Sequence, residues 1–385
     1  MNSRERVLLA LNHKEPDRVP FDLGGTVVTG ISARAYGNLR RYLGLPEIEP
    51  RILDIIQQIA VVDDDVMERL GVDVKNISPR SSATFKIEIG DGANDTRFYD
   101  EFGIGWRMPR DGGLYYDMFH HPLAGDHVTV EAVDGFAWPD PLDPARFAGL
   151  RAAALKVMNE EKRAVVVGSM SAGIMELHAW LRGFQDYYTD LAGNEKLAAR
   201  LMDRMLEMHL AYWGKMFDTI GDAIDVAGTA DDFAGQHGML ISPRTYRKLC
   251  KPRHRELFDL IHKRSRAKIF FHSCGSVRAV IPDLIEIGCD ILNPVQVSAA
   301  GMDSAELKRE FGKDLVFWGG GVDTQRVLGE GTPQQVREDT RRRVHHLMPG
   351  GGFIFNTVHN IQGNVPPENI VAMWETLREC GVYRK

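Results

Sequence analysis

Lys268-Ile269-Phe270-Phe271-His272-Ser273-Cys274-Gly275 is an apolar run that stops abruptly in small and polar residues. An unbroken run of this kind reads as a strand buried on both faces, the mark of a parallel sheet covered by helices. Seven other runs have a similar build: Val19–Leu23, Val72–Ile77, Ala164–Gly168, Ala223–Ala227, Asp290–Asn293, Leu315–Trp318 and Phe353–Val358. Amphipathic stretches of helical length lie between them, among them Leu197–Ile220, Arg244–Lys263 and Gln334–Leu347. The second of these follows Ser242-Pro243, an N-cap with proline at the first helical position. Pro366-Pro367-Glu368 opens a last helix, Asn369–Glu379. Strand and helix in alternation predict a parallel α/β sheet, and eight repeats predict its closure into a (β/α)8 TIM barrel.

One segment breaks the rhythm. From about residue 85 to 140 the chain holds short alternating pieces, Phe85-Lys86-Ile87-Glu88-Ile89 and Thr96–Trp106, with Gly-Asp and Asp-Gly turn signals. This predicts a β-hairpin insertion after strand two, projecting from the mouth of the barrel. Its aromatics, Phe102, Trp106, Tyr115, Tyr116 and Phe119, either line a pocket there or only pack the hairpin down. Residues 1–385 are otherwise expected to form a single barrel domain.

Composition narrows the class of function. The 385 residues carry 47 basic and 53 acidic side chains, a net charge of −6, with 44% hydrophobic and 26% charged residues. A soluble enzyme fits, and a nucleic-acid binder, which needs a basic surplus on some face, does not. The start, Met1-Asn2-Ser3-Arg4-Glu5-Arg6, is polar, and no apolar run approaches membrane-spanning length. Four cysteines, 250, 274, 289 and 380, make no disulfide framework in so long a chain. The expectation is a cytoplasmic protein with no membrane contact.

Barrel enzymes carry their reactive groups just after the strands. Those positions hold Asp22 after run one, Ser169 and Ser171 after run three, and Asp231, Asp232 and Gln236 after run four. His272 and Cys274 follow run five, Asn293 and Gln296 run six, and His359, Asn360 and Gln362 run eight. Asp22 and Asp232 are the candidate acid–base groups. Gln236, Asn293, Gln296 and Asn360 are the candidate substrate-binding residues. Asp231 and Asp232 divide the work, one facing the mouth and the other capping a helix; Asp232 is read as the inward one. The run Gly319-Gly320-Gly321 offers backbone N–H groups to an anion or forms a tight turn.

His272 and Cys274 stand two apart at a strand end, so their side chains share a side. An imidazole and a thiolate so placed suit zinc, with a third ligand from His359 or a carboxylate such as Asp232. The alternative leaves His272 as a general base and Cys274 as a small buried side chain. The remaining three cysteines read as structural.

Four stretches carry a family resemblance. They are Arg4-Glu5-Arg6-Val7 with Leu11–Pro20; His272-Ser273-Cys274-Gly275; Gly319–Gln325; and Gly351-Gly352-Phe353 with Val358–Gln362 and Val365–Asn369. Together they resemble uroporphyrinogen-decarboxylase-like proteins over most of the chain, which independently implies a barrel. The true decarboxylases of that family are metal-free and carry an Arg-Gln-Ala-Gly-Arg element near the first strand. Here that place reads Phe21-Asp22-Leu23-Gly24-Gly25-Thr26, with no arginine before Arg34. The other branch comprises cobalamin-dependent methyltransferases that bind zinc through His-x-Cys and a distant Cys. His272 and Cys274 match, and the third place falls at or near His359. That branch implies zinc on His272, Cys274 and His359. It also implies a small methyl donor (methanol, a methylamine or a methoxylated aromatic) and a partner protein carrying a corrinoid, cobalamin. Two further readings stand beside it: a metal-free decarboxylase or lyase with Asp22 as its acid, and a barrel that only binds a tetrapyrrole or corrinoid.

Overall fold

A computed structural model describes residues 1–384. Its central sheet has seven parallel strands in consecutive order: β1 (Val74–Asn76), β2 (Ala164–Val167), β3 (Val226–Ala230), β4 (Lys268–His272), β5 (Ile291–Asn293), β6 (Val316–Trp318) and β7 (Phe353–Ile354). Every residue of β2 is buried, as are four of the five in β4, in keeping with helices outside and side chains filling the inside. Register brings His272 opposite Ala230 on one side and Asn293 on the other. The chemistry-bearing ends of β3, β4 and β5 therefore lie level.

The expected closed barrel of eight strands does not form. The sheet curls into an open half-barrel whose edges stand 10 Å apart. The first expected strand, Val19–Leu23, is the missing member, and its hydrogen bonds explain why. Phe21 makes one isolated bridge to Phe355, through Asp22 N to Phe355 O (2.9 Å) and Phe355 N to Pro20 O (2.8 Å). Toward β1, Asp73 N donates to Phe21 O (2.8 Å), but Phe21 N donates to the Asp73 carboxylate, where a strand would present a carbonyl. Pro20 has no N–H to give. The segment occupies the gap as irregular chain.

Asp73 is the fixed point of that gap. It is fully buried and takes Arg6 (2.8 Å) and Arg18 (2.7 Å), while Arg6 also holds Asp17 (2.6 Å). The arginines of the opening sequence thus lock the N-terminal segment against the first strand of the sheet.

Two further boundaries moved. The run expected at Ala223–Ala227 becomes a strand only from Val226; at Asp225 the side-chain carboxylate, in place of a carbonyl, accepts Val165 N (3.0 Å) and pairs with Arg4 (2.9 Å). The helix expected over Arg244–Lys263 is interrupted by a widened turn at Tyr246–Cys250 before continuing as Lys251–Arg264. Pro252, lacking an N–H, cannot close the ordinary helical turn there.

The β-hairpin excursion expected between β1 and β2 is an antiparallel meander of four strands, Gly90–Asp91, Asp95–Tyr99, Gly105–Pro109 and Asp117–His120. Phe98 and Tyr116 meet edge-on at 4.9 Å beneath it. Trp106 packs edge-on against Trp180 of helix Ile174–Arg182 (5.1 Å, 81°), which pins the meander over the strand ends. Among the described residues, no helix is long and apolar enough to cross a membrane.

Removing Asp73 leaves the Arg18 guanidinium without its carboxylate and Arg6 with Asp17 alone. Asp73→Ala is expected to cost about 3–5 kcal/mol, read as a lower midpoint in urea denaturation. An unchanged midpoint would show that the gap closes without this carboxylate.

Candidate metal centre and substrate cavity

His272 ends β4, and its orientation is fixed by one neighbour. Asn293 Nδ2 donates to the Trp318 carbonyl (2.7 Å), which can only accept, so Asn293 Oδ1 must face the imidazole. His272 Nδ1–H then donates to that oxygen (2.5 Å), and Nε2 keeps its lone pair. Nε2 points to Cys274 Sγ at 3.4 Å.

Cys274 is held by its backbone: its N–H donates to Asp232 Oδ1 (2.7 Å), and the next N–H, of Gly275, donates to Gln296 Oε1 (2.6 Å). Gly275 has φ +88°, and a Cβ there would meet the Ala234 carbonyl at 2.6 Å, so the turn demands glycine. His359, beyond β7, brings its ring to 5.5 Å from that of His272. Burial, with His272 adding to it, pushes its pKa down to about 3, so the ring is neutral with a lone pair to offer. Among the described residues, His272, Cys274 and His359 place one ligand atom each within 4.8 Å of one another. The cluster is able to chelate a metal.

The surroundings favour a cation. Burial raises the Cys274 thiol well above its usual range, and Asp232 and Glu176 raise it further. Burial also raises the carboxyls of Glu176 and Asp232; for Glu176, the neighbouring Asp232 and Asp231 raise it further. A thiol and two carboxyls crowded together resist ionisation unless a positive charge stands among them. None of the residues lining the adjoining cavity is a lysine or arginine. Two nitrogens, a sulfur and a deficit of positive charge fit zinc.

Glu176 gave no signal in the sequence, since it lies inside a helical stretch. It reaches the site because Asp231 caps the N-terminus of helix Ile174–Arg182, accepting Met175 N (2.9 Å) and Glu176 N (2.6 Å) while His254 holds its other side (2.8 Å). A Cβ on Gly173 would meet the Ala230 carbonyl at 1.9 Å, so only glycine lets the helix start this close. Asp231 therefore serves the fold, and Asp232 faces the mouth.

The cavity measures about 500 Å³ and takes in Asp232, Glu176, His272 and His359. Trp180 and Leu177 form one wall; Phe102, Trp106 and Met118 of the meander form the roof. Other expected site residues lie elsewhere. Asp22 is fully buried, accepting Gly25 N (2.7 Å) and Trp318 Nε1 (2.7 Å), with burial pushing its pKa to about 6. Gln296 braces the Cys274 turn. Asn360 ties three rim segments together through Gly30 N (2.6 Å), Val27 O (2.8 Å) and Gln57 Oε1 (2.8 Å). Gln236 is engaged with Ala300 N (2.8 Å) through its backbone carbonyl, away from the cavity lining. The Gly319–Gly321 N–H groups donate to Ile354, Thr357 and Asn356 carbonyls, which leaves none for an anion; the run is a tight turn.

The model of a known family, uroporphyrinogen decarboxylase (URO-D), matches residues 102–380. The chain belongs to the URO-D family. Among solved structures, this URO-D member is similar to a methyltransferase from Methanosarcina mazei, at 18% identity and a TM-score of 0.65, covering 98% of this chain and 99% of that one. At that identity the likeness speaks for the fold. A structure of Dispersin B, 8% identical over 95% of this chain and 99% of its own, reaches a TM-score of 0.39 and carries no weight. No curated protein sequence matches this URO-D member.

Asn293→Ala frees the imidazole to rotate and change tautomer. Zinc affinity, measured by competition with a chelating indicator, is expected to fall about 10–100-fold. Equal affinity would mean that the amide does not set the ligand.

Proposed function

We propose that this URO-D-family chain is a zinc-dependent methyltransferase that moves a methyl group between a small methylated substrate and a corrinoid carried by a partner protein. The observation that carries the reading is the convergence of His272, Cys274 and His359 at one end of the sheet, beside a pocket whose lining has no lysine or arginine. The fold shared with the Methanosarcina mazei methyltransferase supports it. Zinc bound there supplies Lewis acidity toward the atom that carries the methyl group.

The chain's own residues supply the rest. Asn293 presents His272 in a single tautomer, and Asp232 holds the backbone of Cys274. Glu176, whose carboxyl is pushed upward by burial and its acidic neighbours, lines the cavity beside His272 and is the group we assign to hold a proton for the substrate atom that loses its methyl group. The apolar roof excludes water from the exchange. Four free cysteines agree with a reaction in the cytoplasm.

A decarboxylase of polycarboxylated rings is disfavoured on the same grounds. Its substrate needs cations on the wall, and the lining has none; Asp22, its supposed acid, is outside the cavity with both oxygens occupied.

Wild type is expected to hold about one zinc per chain by elemental analysis, and Cys274→Ala to hold far less. Methyl transfer to reduced cobalamin, followed by its absorbance, should fall by roughly two orders of magnitude or more in that variant, with unchanged far-UV circular dichroism. A wild type that stays metal-free in added zinc, or a fully active Cys274→Ala protein, would overturn the reading. Zinc retained in His359→Ala would keep the function and pass the third ligand to Asp232.

A further inference from the structure

Phe85-Lys86-Ile87-Glu88-Ile89 alternates as a strand should, yet it forms none: the first strand of the meander begins only at Gly90. Among the described residues, these five neither donate nor accept a hydrogen bond. Ile87 and Ile89 stand 39% and 54% exposed. The segment hangs between two fixed ends. At one, the Asp143 carboxylate accepts Ser82 Oγ (2.5 Å) and Ala83 N (2.9 Å); at the other, Gly90 pairs with Arg97. Bare backbone between anchors has little to hold it in a single arrangement.

The neighbouring strand has room for it. Asp95–Tyr99 takes Gly90 opposite Arg97 and Asp91 opposite Thr96 on its outer edge. Among the described residues, that edge runs on through Phe98 and Tyr99 with no strand beside it. Continued in the same register, Ile89 falls opposite Phe98 and Glu88 opposite Tyr99. Opposed residues of an antiparallel pair share a face, and so do residues two apart on one strand. Phe98 is buried, and Trp106, its partner on the other side, belongs with Met118 to the cavity roof. Ile89, Ile87 and Phe85 therefore land on the underside of the roof, and Glu88 and Lys86 on the solvent side with exposed Tyr99. A slip of one residue would reverse every one of these placements. The register already begun at Gly90 is the one that hides the isoleucines.

Past Tyr99 the partner strand turns through Asp100, Glu101 and Phe102, which border the cavity together with Phe85 and Ile87. The free segment thus already stands at the cavity edge.

We propose that Phe85–Ile89 is a lid. It closes by extending the meander's ladder through Ile89 and Glu88, which carries its apolar face over the cavity beside His272 and His359, and it opens to the unpaired arrangement. Closure needs neither zinc nor a methyl donor, so the lid stands or falls apart from the methyltransferase reading.

Closure is tested on the full-length chain with two cysteines on the solvent face, Glu88→Cys and Tyr99→Cys. Paired in the ladder, their Cα atoms would lie about 5.5 Å apart, within disulfide reach. Mild oxidation with diamide, read by peptide mass mapping, should link them at least about fivefold more than the out-of-register pair Lys86→Cys and Tyr99→Cys. Locking the lid should slow alkylation of Cys274 by N-ethylmaleimide, with a chelator present, on the order of tenfold relative to the same variant reduced. Ile89→Asp, added to the first pair, puts a charge on the face to be buried and should cut the cross-link about tenfold. Its midpoint in urea should not move, since Ile89 is exposed when the lid is open. Equal linking in and out of register would overturn the proposal. A linked segment that leaves Cys274 as reactive as before would also overturn it, because the strand would form without covering anything. Full linking in the Ile89→Asp variant would do so too, by denying that the apolar face is buried.

Discussion

The direction of a single amide decides what the metal cluster can be. Asn293, at the end of β5, lies between His272 on β4 and the Trp318 carbonyl on β6, and it gives its N–H to one and its oxygen to the other. Because a carbonyl cannot donate, the amide has one workable orientation, and the imidazole inherits it. The line of support runs further back. Trp318 is itself held by Asp22 through its indole N–H, and Asp22 sits in the segment that fills the gap in the sheet. Asp22, read from the sequence as an acid–base candidate, lies buried outside the cavity and bonds the Trp318 indole of the strand whose carbonyl orients Asn293.

Electrostatics at the mouth have one consistent sense. Thiol, carboxyl and imidazole groups sit in a low-dielectric pocket, and each is pushed toward its neutral form by burial. Neutral groups of this kind are stable without an ion, and a divalent cation placed among them would draw the proton off sulfur. The absence of lysine and arginine from the lining serves two ends: it leaves the ligands unopposed, and it makes the pocket inhospitable to anions.

Much of this was readable in the residues, and the failures have physical causes. Lys268–His272 was legible to the residue because an apolar run ends there in a polar step, and the strand ends in the same place. His272, Cys274 and His359 were legible for a similar reason, standing at or beyond the ends of apolar runs. Val19–Leu23 has the composition of a strand yet is denied a ladder by Pro20 and by the Asp73 carboxylate that takes its N–H. Such long-range competition leaves no local trace. Glu176 and Trp180 were hidden by helical periodicity, since a residue in the first turns of a helix looks like any other until the cap that aims it is seen. The opening arginines were recognisable only as a family pattern. The structure gives that pattern a cause: Arg6 and Arg18 converge on Asp73.

The roof of the cavity comes from one contiguous stretch between β1 and β2, whereas the cluster able to chelate a metal comes from the end of β4, the turn after it and the segment after β7. The two share no backbone, and both line the cavity. Natural variation in that stretch can therefore reshape the cavity while the cluster beneath it is left intact. A lineage built on this plan diversifies by exchanging its roof, and its members should diverge fastest in sequence where the meander lies.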